Sequence, residues 1–584
     1  MKLSDYVISH LASLGIKHVF LLTGGAATHL VDSFRNVEGI DYICVQHEQA
    51  AAMAADAYSR LGGFIGVAIT TSGPGATNLL TGTGCSWFDS IPCLYLTGQV
   101  NTYEYKDDSK VRQVGFQETD IVSIIKPISK FAHMVTDPKT IRYYLEKAIY
   151  VAKSGRPGPV LLDLPMDVQR AEIEPFELEG FEPEIARGDD GLISKIKDCA
   201  ELIEHSIRPI IIAGGGVRNA GATEELEELA ELSGIPVVAT FCGIDSFPHD
   251  HPLYVGFMGV YGNRYANFAV ANCDLLIGVG SRFDTRQTGT QPKSFAREAR
   301  KIVVDIDPEE LNKRVTADIA ICCDAKDFLV LLKNELSGRE TSDISAWLDK
   351  IAEYKAKYPI CRPEYYDQPD KVNPYVFMKT LSEEAADDEV IIVDAGQNLM
   401  WGIQTLEPRG TQRVFSAGGM SPMGYSFPAA IGAAVCRGKR AVCTIGDGGM
   451  QVNIQELQTI FHYKVPVKIF VMSNHSYGII KQFQDLYFGS RYEATGRGYS
   501  CPNFVKVAEA YGIKAIAINN HAELQQKIRQ VLDYEGPILC DVELKSDTLI
   551  IPKLEVNKPI EDQTPYLDRE EFLSNMIIKP FEEG

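Results

Sequence analysis

The stretch from Gly446 to Asn474 restricts the fold more than any other part of the chain. Before it, Arg440-Ala-Val-Cys-Thr-Ile445 is apolar, β-branched and bounded by glycine, which predicts a buried strand that delivers Asp447 at its C-terminal edge. Gly446, Gly448 and Gly449 let backbone amides approach an anion with no Cβ in the way, at the mouth of a helix whose macrodipole favours phosphate. That helix is predicted from Val452 to His462, with Ile454, Leu457 and Phe461 on one face. Pro466 ends the connection and Val467 to Met472 reads as the next parallel strand, so Asn474 emerges on the same side as Asp447. A carboxylate and an amide oxygen beside a diphosphate cradle suit Mg²⁺, which keeps water and phosphate oxygens among its ligands. Taken alone, the pattern also fits an ordinary βαβ turn with a structural aspartate.

A second glycine-rich half lies in the first third. Val19-Phe-Leu-Leu22 is a short strand ended by Thr23-Gly24-Gly25-Ala26, and Ile43-Cys-Val45 is the next. It leads into His47-Glu48-Gln49 and an alanine-rich helix from Ala50 to Arg60, which puts Glu48 near a helix N-terminus, where a carboxylate is electrostatically favoured. Strand Gly66 to Thr70 runs into the tight turn Ser72-Gly-Pro74-Gly-Ala-Thr-Asn78, and Pro92 to Gln99 follows. By itself Glu48 reads as a capping group.

Together the two halves resemble the thiamine diphosphate (ThDP) enzymes of the 2-oxoacid decarboxylase and carboligase superfamily. From Lys2 to about Ile550 the chain is similar to the acetolactate synthase branch. The resemblance implies that Gly396, Gln397, Asn398, Gly446, Gly448, Gly449, Ser476, Tyr477 and Gly478 hold the diphosphate and thiazolium end of ThDP, with Asp447, Asn474 and Ser476 around Mg²⁺. Thr23, Gly24, Gly25, Pro74, Asn78 and Gln99 belong by the same resemblance to the cofactor site. Glu48 matches the glutamate that hydrogen-bonds the aminopyrimidine ring, tuning the cofactor's own amino group into a base for the weakly acidic C2–H. Met423 matches the bulky apolar residue under the cofactor that forces its folded shape, although an isolated methionine reads as core. Phe116, Gln117 and Lys130 match the substrate channel of that branch, with Gln117 and Lys130 as catalytic candidates; each is otherwise a loop or surface residue.

Gly158 to Pro165 closes a first domain, 1–175, and the acidic run from Phe176 to Asp190 reads as a linker. A second unit, 190–337, opens with Arg208-Pro-Ile-Ile-Ile-Ala-Gly214-Gly215-Gly216 and continues with strands at Pro236, at Leu275 to Gly280 and at Lys301 to Asp307. Glycine turns after strands suit a dinucleotide, with Asp305 or Asp307 towards a ribose, although the full Gly-x-Gly-x-x-Gly spacing is missing. By resemblance, Gly214, Gly215, Gly216, Gly259, Gly280, Arg282, Asp305 and Ile306 match the FAD-binding domain of acetolactate synthase, where the flavin is largely structural because carboligation transfers no net electrons. The alternative is a domain that kept the architecture and lost the ligand. Arg286 matches the arginine that meets the carboxylate of the second 2-oxoacid, a partner well suited to a guanidinium. Ser337 to Asn373 reads as a second linker, 373–549 as a third domain and 550–584 as a tail that would serve as a lid. Departures from the branch gather on the acceptor side: Val260 and Tyr261 replace a usual methionine and histidine, Phe483 a tryptophan and Thr285 an aspartate, while Thr23 replaces a proline at the glycine turn.

Composition sets the remaining limits. At 584 residues the chain is too long for one core and suggests about three or four domains, and its 45% hydrophobic and 23% charged content is ordinary for a globular protein. The strand pattern and the resemblance together imply the class α/β, three doubly wound parallel-sheet domains. A formal charge of -21 disfavours nucleic acid and anionic membranes as partners. The 13 cysteines are odd in number and lack a C-x-x-C pair, which favours reduced core residues over disulfides or zinc. With no signal-like start and no run of about twenty apolar residues, a cytoplasmic protein is expected. The resemblance further implies a homodimer or homotetramer with the cofactor between subunits, and leaves room for a regulatory subunit. The expected reaction decarboxylates pyruvate and ligates its two-carbon unit to a second carbonyl: another pyruvate, giving 2-acetolactate, or a keto sugar nucleotide. The same motifs also fit a pyruvate decarboxylase, a flavin-using oxidase or a non-catalytic relative.

Overall fold

A computed structural model describes residues 1–107, 109–183 and 191–581 of the chain, so the end of the acidic run, 184–190, lies outside the described residues. Three parallel sheets of six strands follow one another. The first holds β1 (His18–Leu21), β2 (Asp41–Cys44), β3 (Gly66–Thr70), β4 (Cys93–Gln99), β5 (Phe131–Met134) and β6 (Val160–Pro165), in the order β2-β1-β3-β4-β6-β5. The second holds β7 (Pro209–Ala213), β8 (Val237–Ala239), β9 (Tyr254–Phe257), β10 (Leu275–Val279), β11 (Arg300–Asp305) and β12 (Ile319–Cys322), in the order β12-β11-β10-β7-β8-β9. The third holds β13 (Val390–Val393), β14 (Arg413–Phe415), β15 (Ala441–Gly446), β16 (Val467–Ser473), β17 (Lys514–Ile518) and β18 (Ile538–Glu543), in the order β14-β13-β15-β16-β18-β17. Numbered within each domain, the first and third sheets therefore have the same strand order. The middle sheet has the doubly wound order that reverses between its first and fourth strands, β7 and β10, and opens a crevice beyond their C-terminal ends. Helices cover both faces, which is why the central strands read as unbroken apolar runs.

Two alanine-rich helices join the first and third domains. Glu48–Gly62 follows β2 and Ser426–Arg437 follows β14. A Cβ on Gly432 would lie 2.1 Å from the carbonyl oxygen of Ala54, so glycine alone lets the two helices come this close. The Tyr425 hydroxyl donates to Asp56 at 2.5 Å, and Arg60 pairs with Asp56 at 2.6 Å and Asp89 at 2.8 Å. One apolar core thus runs from Ala54 and Tyr58 to Ala430 and Ile431, and another joins Ile211 and Val279 of the middle sheet to Phe377 and Val542.

Several expectations change. The helix expected over 452–462 is two helices, Asp447–Val452 and Leu457–Tyr463, with a 3-10 turn, Ile454–Glu456, between them. Phe461 is 48% exposed rather than packed. The break has a polar cause: Asn453 turns its amide to the Gly424 carbonyl at 2.8 Å, and Glu456 accepts the Gln46 amide at 3.0 Å. The stretch read as a second linker contains the helix Ser345–Lys357, which buries Trp347, Ile351 and Tyr354, and Trp347 donates to the Pro209 carbonyl at 3.1 Å. The tail read as a lid is a strap on the middle domain. Arg264 donates to the Gln563 and Pro565 carbonyls, Asn267 donates to that of Ile560, and Arg297 pairs with the fully buried Glu561 at 2.8 Å. None of the 13 cysteines is in a disulfide among the described residues, and no helix among them is long and apolar enough to cross a membrane.

Candidate active site

The C-terminal edge of the third sheet builds one half of the site. Asp447, 2% exposed, directly follows β15. Its Oδ1 accepts the Gly448 amide at 2.8 Å and the Tyr499 hydroxyl at 2.7 Å, and its Oδ2 accepts the His475 amide at 2.6 Å. Burial raises its pKa. Asn474 follows β16, accepts the Ser476 amide on Oδ1 at 3.2 Å and donates from Nδ2 to Gln397 at 3.0 Å. Asp447 and Asn474 thus converge on the turn 474–476 with oxygen atoms, a donor set that fits Mg²⁺. Ser476, the third expected ligand, donates its hydroxyl to the Thr495 carbonyl at 3.0 Å. The ligand atoms of His475 and Cys501 lie within 4.8 Å of one another and of the Asp447 carboxylate. Cys501 had no signal in the sequence, because no spacing ties it to Asp447.

The glycines divide into two kinds. A Cβ on Gly449 would meet Asp394 at 2.2 Å, one on Gly448 would meet Tyr477 at 2.5 Å, and one on Gly478 would meet Gln397 at 1.8 Å. These three are required by the protein's own packing. At Gly396 and Gly446 a Cβ would meet nothing within 4 Å, so this side of the turns has room for a diphosphate. Asn398 donates to the Asp394 and Thr444 carbonyls and holds the strand ends together. Sequence reasoning missed the role of Asp394. Its fully buried carboxylate accepts the Gly424 and Ser426 amides at 3.0 Å each and so fixes the turn that presents Met423, while burial pushes its pKa up to about 6.

The edge of the first sheet builds the other half. Glu48, 8% exposed, is the first residue of its helix and accepts the Asn78 amide at 2.9 Å. A Cβ on Gly75 would stand 3.3 Å from its second oxygen, so the turn 72–78 closes around the carboxylate. Thr23, Gly25 and Pro74 line this edge, and Gly24 backs onto Thr71. Gln117 packs on Gly73 beside the same turn, and Phe116 projects into solvent. Gln99 is spent inside its domain, donating to Asp163 and to the Thr119 carbonyl at 2.8 Å each. Lys130 lies at a different turn. Its Nζ donates to the Ser154 carbonyl at 2.5 Å, and burial brings its pKa down to about 8. Within the chain the two halves touch on either side of Glu48: Gln46 donates to Glu456 at 3.0 Å and Gln49 to Asn453 at 3.4 Å.

A cleft opens at the β7/β10 reversal, bordered by Gly215, Gly216, Gly280, Arg282, Asp305 and Ile306, with Arg156 from the first domain and Gly418 from the third. Gly214 and Gly216 are required by close backbone contact with Gly280: a Cβ on the first would lie 2.0 Å from it, and one on the second 2.6 Å. Gly259, at φ +118, leaves room for the Arg286 carbonyl. Asp284 caps the short helix Thr285–Thr288, and Arg282 donates to it at 3.3 Å. Arg286 reaches into the cleft with its guanidinium 5.8 Å from the Phe241 ring, and its buried Nη1 has no partner among the described residues. An orphaned guanidinium nitrogen fits an anionic ligand. Val260 ties the wall together, donating to the Arg286 carbonyl and accepting from Leu554, both at 2.7 Å.

These features meet in one class of protein. The chain matches the thiamine pyrophosphate enzymes in three parts: the N-terminal TPP binding domain over 1–124, the central domain over 196–332 and the C-terminal TPP binding domain over 394–542. It belongs to the thiamine pyrophosphate enzyme family. Thiamine pyrophosphate is the same compound as ThDP. A probable acetolactate synthase large subunit of Methanocaldococcus jannaschii is 40% identical over 557 residues, covering 93% of this chain and 92% of the relative. The acetolactate synthase large subunit of Porphyra purpurea is 37% identical over 566 residues, covering 95% and 93%. That of Lactococcus lactis is 33% identical over 553 residues, covering 94% of each.

Proposed function

We propose that this protein is a ThDP- and Mg²⁺-dependent carboligase of the acetolactate synthase kind, which decarboxylates pyruvate and joins the remaining two-carbon unit to a second 2-oxoacid. One observation carries the reading: Glu48, held by Asn78 at the first sheet's edge, is matched by Asp447 and Asn474 at the equivalent edge of the third. Asp447 and Asn474 would hold Mg²⁺, and the open sides of Gly396 and Gly446 would take the diphosphate. When bound, ThDP supplies the acidic carbon and the electron sink that decarboxylation needs. Glu48 holds a proton at its carboxylate edge and so governs the base that opens the reaction. Asp394 keeps the Met423 turn rigid through the Gly424 and Ser426 amides. Arg286 takes the carboxylate of the acceptor. The cleft at the β7/β10 reversal suits FAD in a structural role, since carboligation moves no net electrons. A cytoplasmic homodimer that shares its sites between subunits, open to a regulatory partner, completes the proposal.

Mass spectrometry of the products made from pyruvate by the purified protein with ThDP, Mg²⁺ and FAD tests this. 2-Acetolactate is the expected product. Acetaldehyde alone, oxygen uptake, or no release of carbon dioxide would overturn the reading.

A further inference from the structure

One cation on the acceptor side has no part in these roles. Lys553 lies in the strap and is only 6% exposed. Its backbone is pinned on both sides, donating to the Thr564 carbonyl at 3.0 Å and accepting the Thr564 amide at 2.8 Å. Its neighbour Leu554 donates to Val260 at 2.7 Å. Three residues earlier, Ile550 exchanges two hydrogen bonds of 2.9 Å with the side chain of Gln482. Segment 550–554 is therefore seated between the helix Gly478–Tyr487, which begins just past Asn474, and the loop 259–262. From that seat the Lys553 side chain reaches Phe483, with Nζ 5.8 Å from the ring centroid.

The ammonium makes no hydrogen bond and no ion pair among the described residues, and burial lowers its pKa. Lysine is almost never buried to this degree unless it is paired. A cation–π contact contributes roughly 0.5–2 kcal/mol, less than desolvating an ammonium costs. The one carboxylate whose charge acts on it, Glu555, forms no ion pair with it and accepts the Tyr566 hydroxyl at 2.9 Å instead.

Lys553 and Arg286 stand at opposite ends of one wall. Tyr261 lies near both Arg286 and Tyr487, and the Tyr487 ring packs 4.6 Å from that of Phe483, the ring that Lys553 meets. A monocarboxylate such as pyruvate occupies Arg286 and leaves Lys553 idle. We infer that Lys553 is a specificity-determining residue that takes a second anionic group, a carboxylate or a phosphate, on an acceptor carbonyl compound whose body lies along Phe483 and Tyr487. The inference rests on the carboligase reading and deepens it, because it names an acceptor class with more than one negative charge.

The test offers acceptors in competition, with pyruvate as donor, to the wild type, Lys553→Met and Lys553→Arg. The acceptors are a neutral aldehyde, 2-oxobutyrate, 2-oxoglutarate and a keto sugar nucleotide, and product ratios are read by mass spectrometry. The wild type is expected to prefer an acceptor with a second anionic group. Lys553→Met should cut that preference roughly tenfold or more, as loss of a charge-assisted hydrogen bond implies, and Lys553→Arg should restore most of it. The 2-oxoglutarate and sugar nucleotide arms separate carboxylate from phosphate. An unchanged preference in Lys553→Met overturns the inference. If the wild type releases no carbon dioxide from pyruvate, the carboligase reading fails separately. Calorimetric titration of 2-oxoglutarate and of the sugar nucleotide into wild type and Lys553→Met then decides the inference, and equal affinities for both ligands overturn it.

Discussion

In the first domain the chain leaves the second strand, passes Glu48 and enters an alanine-rich helix; in the third it leaves the second strand, passes Met423 and enters another. The two helices pack on each other at Ala54 and Gly432. After the third strand, the first domain has the acid-free turn 72–78, and the third domain has Asp447. At the end of the fourth, the first domain has Gln99, consumed by Asp163 and Thr119, and just past its own fourth strand the third has Asn474, beside Asp447. One sheet order is thus used twice, and in the function proposed here its chemistry is divided: a carboxylate to activate a cofactor on one edge, and a cradle to hold it on the other. The middle domain, with a different strand order, adds a cleft and Arg286, the arginine proposed to take the acceptor.

The comparison breaks most sharply at Asp447. Asp447→Ala should weaken Mg²⁺-dependent ThDP binding by roughly a hundredfold or more, measured by calorimetric titration. ThDP affinity equal to wild type would mean that the third edge is not the cradle. The seam comes next. Gly432→Val pushes a side chain into the Ala54 carbonyl and should cost about 1–3 kcal/mol or more in denaturant unfolding; an unchanged midpoint would show that the two helices have slack.

Gln99 and Asn474 occupy equivalent places but should fail differently. Gln99→Leu strips a donor from buried Asp163 and should lower stability by about 1–3 kcal/mol. Asn474→Leu should act chiefly on cofactor affinity. The same defect in both would erase the distinction between the edges.

The smallest effect is graded with pH. Burial pushes Glu456, at the contact with Gln46, up to about 7 from its ordinary value of 4.5. A carboxyl raised in this way contributes stability that is fully present below pH 4.5 and is lost as pH rises through 7. Melting temperature should therefore fall across that window in the wild type relative to Glu456→Gln. Parallel profiles would mean that Glu456 does not titrate with folding.

What was legible in the residues follows burial. Central strands such as Val467–Ser473 are covered on both faces and read as apolar runs. Edge strands Phe131–Met134, Ile319–Cys322 and Lys514–Ile518 are only partly covered; the first carries a histidine and the last begins with a lysine, and Ile319–Cys322 is apolar but only four residues long, so none stands out as a central strand does. Asp447 and Glu48 were visible because glycine turns and a helix start mark their places locally. Asp394 ends a visible strand, but its role depends on amides of a turn distant in sequence. Lys553 acquires meaning only when Thr564 and Gln482 seat the strap beside Phe483. The helix Ser345–Lys357 spaces Trp347, Ile351 and Tyr354 along one face, yet its charged neighbours made it resemble a linker.

Glu48 is where the two edges have to cooperate, so exchange of the ThDP C2 proton for deuterium, followed by NMR in wild type and Glu48→Gln, is the decisive measurement. The predicted result is ThDP binding within a few-fold of wild type, with exchange and pyruvate turnover slower by roughly a hundredfold to ten-thousandfold. Exchange at the wild-type rate with ThDP bound would contradict the division of chemistry between the two domains.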